Sequence, residues 1–347
     1  ALTDARNCAP HNVAIHTALT EAYLKSGLQL EAVASAETAL RLDDSDPQAQ
    51  ARLADALTRA GQFDRALQEW RAAIALEPRN PKLHISEART LLKMGRIEEA
   101  RQSFNHALAS APESAEAYLA AGQSMLELGE IEDAFQALSQ AVGLAPRMVV
   151  AHLAYGDSAL RTHRYEAAHA AYQRAAELDP TNVTALSESG EALWQLGRTS
   201  AALTQWQRAL TVAPTHGKTL ERLGQAYLRL DQPAEAVLAL EAALGAEPEN
   251  ASLARETARA ALAFGDLERA AHHLETALVA APGDPEVRTL LGDVYERRNE
   301  GEKAVALYRQ AVRLAPADGR PLAMLAEALA NQGATVEAAS EMRKAVA

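Results

Sequence analysis

Small apolar residues return along this chain at a fixed interval of 34 residues. Alanine runs from Ala32 through Ala66, Ala100 and Ala134 to Ala338 without a slip, and a second series, seven residues behind, runs from Ala39 to Ala345. Two small residues seven apart lie on one face of a helix, where they let a neighbouring helix approach closely. A third small position falls earlier in each period, at Ala54, Ala88, Gly122, Gly156, Gly190, Gly224, Ala258, Gly292 and Ala326, with Thr20 as its exception. The spacing therefore predicts two helices of about 14 residues per period, each about 21 Å long, packed through small residues.

The polar positions mark where those helices end. Gly27, Gly61, Gly95, Gly129, Gly197, Gly265 and Gly333 share one register position with His163, Asp231 and Asn299. Glycine is the usual left-handed terminator of a helix, and His, Asp and Asn are the other types that tolerate positive φ. Proline closes the second helix at Pro78, Pro112, Pro146, Pro180, Pro214, Pro248, Pro282 and Pro316, since it cannot continue one. Two residues later stand the N-cap types Asn80, Ser114, Asn182, Asn250, Asp284 and Asp318, with Asp46 at the same register position of the first repeat. Met148 and His216 break that series, and the junctions there are expected to be looser.

These residues resemble the tetratricopeptide repeat, a family of 34-residue helical hairpins. Large residues of its pattern are present as Tyr23, Tyr227 and Tyr295 in first helices and Trp70, Phe104, Tyr172, Trp206 and Tyr308 in second helices. The resemblance implies an all-α, right-handed superhelical solenoid with an inner groove lined by the first helices. Ten units are expected, at 13–46, 47–80, 81–114, 115–148, 149–182, 183–216, 217–250, 251–284, 285–318 and 319–347, preceded at 1–12 by the second half of another. A helix ending near Cys8 is expected there. The partial first unit leads to the expectation that the native protein extends beyond one or both ends.

Composition narrows the function without choosing it. A net charge of −12 disfavours nucleic acid and anionic membranes as partners. No apolar run reaches the about 18 residues of a membrane span, so no direct membrane insertion is expected. Cys8 is the single cysteine, so the redox compartment and localisation stay undecided; few lysines against many arginines, with abundant alanine, suggest a GC-rich bacterial source. No metalloprotease, phosphate-loop, nucleophile-elbow or paired-cysteine motif occurs. No catalytic residue, metal ligand or cofactor is assigned. His272 and His273 are adjacent on a helix and diverge; His16, His84 and His152 share the fourth position of their repeats and read as packed aromatics.

What the resemblance adds is a set of inward positions: the second, fifth, sixth, ninth, twelfth and thirteenth of each repeat. The ninth is never Asn, so the Lys–Asn clamp that some relatives close on a terminal carboxylate is not carried over. The second and third repeats present Arg52, Arg59, Lys82, Arg89 and Lys93 against Asp55. The middle repeats present Ile85, Leu119, Val150 and Leu153, with Ser86, Ala120 and Ala154 beside them. Lys218, Arg222, Arg229, Arg255 and Arg259 follow against Glu221 and Glu256. Trp194 is read two ways, as packing against the next repeat or as an exposed anchor.

The expected function is a non-catalytic protein–protein interaction scaffold that grips a protein or peptide segment with an apolar centre and acidic flanks. Alternatives are a docking or regulatory portion of a larger enzyme or bacterial secretion or export complex, and a self-assembling structural rod. End-to-end self-association is also expected, through Ala339 and Val346 at one end and Ala1, Leu2 and Ala5 at the other.

Overall fold

The computed structural model describes residues 11–346, and it is helical hairpins throughout. The first compact unit (Ala1–Pro180) contains five hairpins. They are α1 (Val13–Lys25) with α2 (Gln29–Leu42), α3 (Pro47–Arg59) with α4 (Phe63–Leu76), and α5 (Pro81–Lys93) with α6 (Ile97–Ser110). α7 (Ala115–Glu127) with α8 (Ile131–Leu144) and α9 (Val149–Arg161) with α10 (Tyr165–Leu178) complete it. The second unit (Thr181–Ala347) contains five more. These are α11 (Val183–Gln195) with α12 (Thr199–Val212), α13 (Gly217–Arg229) with α14 (Pro233–Ala246), and α15 (Ala251–Phe264) with α16 (Leu267–Ala280). α17 (Pro285–Arg297) with α18 (Gly301–Leu314) and α19 (Gly319–Asn331) with α20 (Thr335–Val346) close the series. No strand occurs among the described residues. The expected helix near Cys8, with Ala1, Leu2 and Ala5, lies outside them.

The turn inside every hairpin is left-handed at the expected residue. Seven glycines from Gly27 (φ 74°) to Gly333 (φ 82°) adopt it, and so do His163 (φ 58°), Asp231 (φ 56°) and Asn299 (φ 61°). Eight of the ten first helices are capped by a side chain: Asp46 Oδ1 accepts from the amide of Gln48 at 2.8 Å, and Asn182 Oδ1 from that of Ala185 at 2.9 Å. Met148 and His216 make no such bond. The backbone at Met148 (φ −83°, ψ 99°) nevertheless matches that at Asp46 (φ −84°, ψ 109°), so only the acceptor is missing.

Packing inside a hairpin follows the small residues. Ala66, Ala100, Ala134, Ala168, Ala202, Ala236, Ala270 and Ala304 are fully buried. The small position of the first helix faces the large residue of the second: a Cβ added at Gly190 would lie 2.5 Å from Trp206 Nε1, and at Gly292 2.5 Å from Tyr308 Cε1. Thr20, the exception, is buried and satisfies its hydroxyl by donating to the carbonyl of His16 at 2.9 Å. His84 and His152 donate through Nε2 to the carbonyls of Pro78 (2.8 Å) and Pro146 (3.0 Å). Each thereby covers a carbonyl left open in the turn after the preceding helix, a structural role for the fourth position.

Candidate functional site

Within the first unit the first helices of successive hairpins are in contact, α1 with α3, α3 with α5, α5 with α7 and α7 with α9, and the positions expected to face inward lie along them. In the first unit α3 and α5 enclose a cleft of about 340 Å³ lined by Asp55, Thr58, Arg59, Ser86, Arg89, Thr90 and Lys93, with Trp70 of α4 behind them. Its floor is a closed polar knot. The Trp70 indole N–H donates to Thr90 Oγ1 at 3.0 Å and to Thr58 Oγ1 at 3.3 Å, and the two hydroxyls stand 3.1 Å apart. Thr90 also donates to the carbonyl of Ser86 at 2.9 Å. Trp70 and both threonines are buried, so this floor is rigid and already satisfied.

The rim is different. Arg59 pairs with Asp55 at 3.1 Å, one turn back on the same helix. Arg52 reaches Glu21 of α1 at 3.4 Å. Lys82, Arg89 and Lys93 are exposed, and their side chains have no hydrogen-bond or ion-pair partner among the described residues; nor does the Ser86 hydroxyl. Arg89 and Lys93 are like charges one turn apart, an arrangement that costs a few tenths of a kcal/mol.

Beyond the cleft the face of the first unit becomes apolar. Ile85 is buried at 6% exposure within the hydrophobic cluster of α4–α9, and Leu119 and Ala120 pack on that cluster half-buried. Leu153 is half-buried and Val150 is 51% exposed. The structure thus places Ile85 in the core and leaves Leu119, Val150 and Leu153 accessible on successive first helices.

In the second unit four of the five expected basic residues, Lys218, Arg222, Arg255 and Arg259, are committed to carboxylates, while Arg229 is exposed beside Trp194. Arg222 reaches Glu188 (2.8 Å) and Glu191 (3.2 Å) of the preceding repeat, and Lys218 reaches Glu188 (2.8 Å). Arg222 also donates to Ser187 Oγ at 3.2 Å, and Thr219 to the same oxygen at 2.8 Å. Arg255 pairs with Asp284 (2.9 Å), the residue that caps α17, and with Glu286 (3.1 Å) of the following repeat, and Arg259 pairs with Glu286. Burial alone would push the Glu188 carboxyl up; the hydrogen bonds and charges of Arg222 and Lys218 outweigh it and hold the group below its ordinary value. Glu221 is raised instead, first by burial and then by Glu256 and Glu247, and the Gln225 amide bridges Glu221 and Glu256. Trp194 is half-buried, with its ring 5.8 Å from Trp206 and the Arg229 guanidinium 5.9 Å from its centroid.

The sequence sets these cations against Glu221 and Glu256, whereas the structure pairs them with Glu188, Glu191, Asp284 and Glu286. The signal was present: Glu188 and Arg222 are one period apart, and Glu191–Arg222 and Arg255–Glu286 are each separated by 31 residues. Reading charge across adjacent repeats rather than along one repeat would have paired them. Among the described residues no group of three or more His, Cys, Asp or Glu is placed to hold a metal ion, and no helix is long and apolar enough to cross a membrane.

Two family models, both described as tetratricopeptide repeat, match this sequence. One matches residues 17–82, 153–216, 221–285, 256–319 and 289–347, and the other 57–124 and 91–147. No curated protein matches. Among solved structures, the C-terminal part of a TPR repeat-containing protein from Cytophaga hutchinsonii aligns at TM-score 0.58 with 20% identity, covering 70% of this chain and 99% of that one. PilF of Pseudomonas aeruginosa aligns at TM-score 0.51 with 22% identity, covering 61% of this chain and 97% of its own. At these identities the likeness is one of fold.

Proposed function

Because the chain belongs to the tetratricopeptide repeat family, we propose that it is a non-catalytic scaffold whose first-helix face grips a protein or peptide segment. The segment we infer has an apolar centre and acidic flanks. The observation that carries this reading lies in the first unit: exposed, unpaired Lys82, Arg89 and Lys93 stand on the same face as the accessible Leu119, Val150 and Leu153. Hydrophobic side chains of a partner laid on that strip would contribute about 1.5–3 kcal/mol each before ordering costs. The cations supply charge complementarity, which sets encounter rate and register. Of the two roles open to Trp194, its contact with the apolar cluster that includes Leu223 and Ala226 of the next repeat supports packing.

Selection of displayed peptides on the full chain tests the proposal. Binders should share an apolar centre with acidic residues beside it, and Leu119→Glu with Leu153→Glu should abolish binding at an unchanged melting temperature. Binders without that pattern, or binders indifferent to both substitutions in a folded protein, count against it. Lost stability instead would assign the two leucines to the core.

A further inference from the structure

The cleft between α3 and α5 has a charge that the protein itself does not balance. Three cations, Arg59, Arg89 and Lys93, line it against the single carboxylate of Asp55, a net charge of +2 in about 340 Å³. On a chain of net charge −12 an acid to neutralise them would be easy to supply, and the second unit does so for Arg222 and Arg255 from neighbouring repeats. At the equivalent crossing here no acid among the described residues reaches Arg89 or Lys93. The repulsion between these two is therefore retained in the free protein and relieved only by something that enters. Beside them the Ser86 hydroxyl is a donor without a partner among the described residues.

We propose that this cleft holds the partner segment by a compact dianion, either a phosphomonoester side chain or two adjacent carboxylates. The inference rests on the peptide-binding reading above and names the chemistry at one end of that site. A net +2 matches a group carrying two negative charges better than a lone carboxylate. A phosphomonoester carries about −1.5 to −2 at neutral pH with three strong acceptor oxygens, enough to take the Arg89 guanidinium, the Lys93 ammonium and the Ser86 hydroxyl together. Arginine's planar fork suits such an oxyanion, and lysine adds a point charge. The satisfied floor of Trp70, Thr58 and Thr90 needs no rearrangement, so the cleft is preorganised.

The Trp70 indole N–H provides a local reporter. Titration of the full chain with inorganic phosphate, at ionic strength held constant with chloride, should move the Trp70 indole resonance saturably and leave those of Trp194 and Trp206 in place. Arg89→Gln with Lys93→Gln should weaken that binding about tenfold or more, the loss expected for charged hydrogen bonds; both residues are exposed, so the fold should persist, as thermal melting checks. Arg222→Gln should leave phosphate binding unchanged. Blocked glycyl-phosphoseryl-glycine and glycyl-aspartyl-aspartyl-glycine then identify the source, the tighter of the two naming the group. The proposal is overturned if the Trp70 shift is linear and no larger than chloride gives, if the double variant binds as the parent does, or if phosphate saturates while neither peptide moves the resonance. A cleft that fails with phosphate while displayed peptides still bind through Leu119 and Leu153 removes this inference and leaves the scaffold intact.

Discussion

Gly190 lies where the Trp206 indole crosses the first helix of its own repeat, and a methyl there would meet Nε1 at 2.5 Å. Trp206 is 1% exposed and anchored by its N–H to the Ser187 carbonyl at 3.0 Å, so it cannot retreat. Gly190→Ala should destabilise the protein by about 1–3 kcal/mol through overpacking, read as a lower denaturant midpoint. An unchanged midpoint would mean that the helices separate freely. Glu188 makes a second prediction at this scale. Its carboxyl is held below its ordinary value in the folded chain, so its stabilising contribution is fully present above the unfolded value of about 4.3 and is lost as pH falls through the lower, folded value. Glu188→Gln should cost about 1–3 kcal/mol at neutral pH and flatten the acid limb of the stability–pH curve. An equally steep acid limb in the variant would place the titration elsewhere.

Single elements show how far local chemistry reads directly from sequence. Helix ends were legible because a positive-φ terminator admits few residue types, and His163, Asp231 and Asn299 take that conformation as the glycines do. Those side chains still carry the strain of a Cβ at positive φ, so Asp231→Gly should raise stability by about 0.5–1 kcal/mol. The N-caps were equally legible, since a hydroxyl, amide or carboxylate two residues after proline has one geometric use. Met148 holds the cap backbone without the acceptor; Met148→Asp should add about 0.5–2 kcal/mol. Thermal melting checks both substitutions, and a fall in stability in either would contradict the cap geometry. Less legible was which groove side chains stay free. Ile85 occupies the same register position as Leu119 and Leu153 yet is buried with α4–α9, because burial depends on the side chains of adjacent repeats.

Across the whole molecule the repeat period carried the fold, while the site required contacts one repeat away. The two basic zones look alike in sequence. In three dimensions Lys218, Arg222, Arg255 and Arg259 are tied to Glu188, Glu191, Asp284 and Glu286, whereas Lys82, Arg89 and Lys93 have no such partner among the described residues. The first set bridges repeats, and the second is the one proposed to meet a partner. Thermal melting of the full chain with and without a selected acidic-flanked peptide tests this division most directly, since a ligand bound only to the native state raises its melting temperature. The account predicts that Arg89→Gln with Lys93→Gln keeps the parent melting temperature and loses the peptide-induced rise, and that Arg222→Gln melts lower yet keeps the rise. The opposite assignment, with Arg222→Gln abolishing the rise and the Arg89 and Lys93 pair leaving it intact, would contradict it.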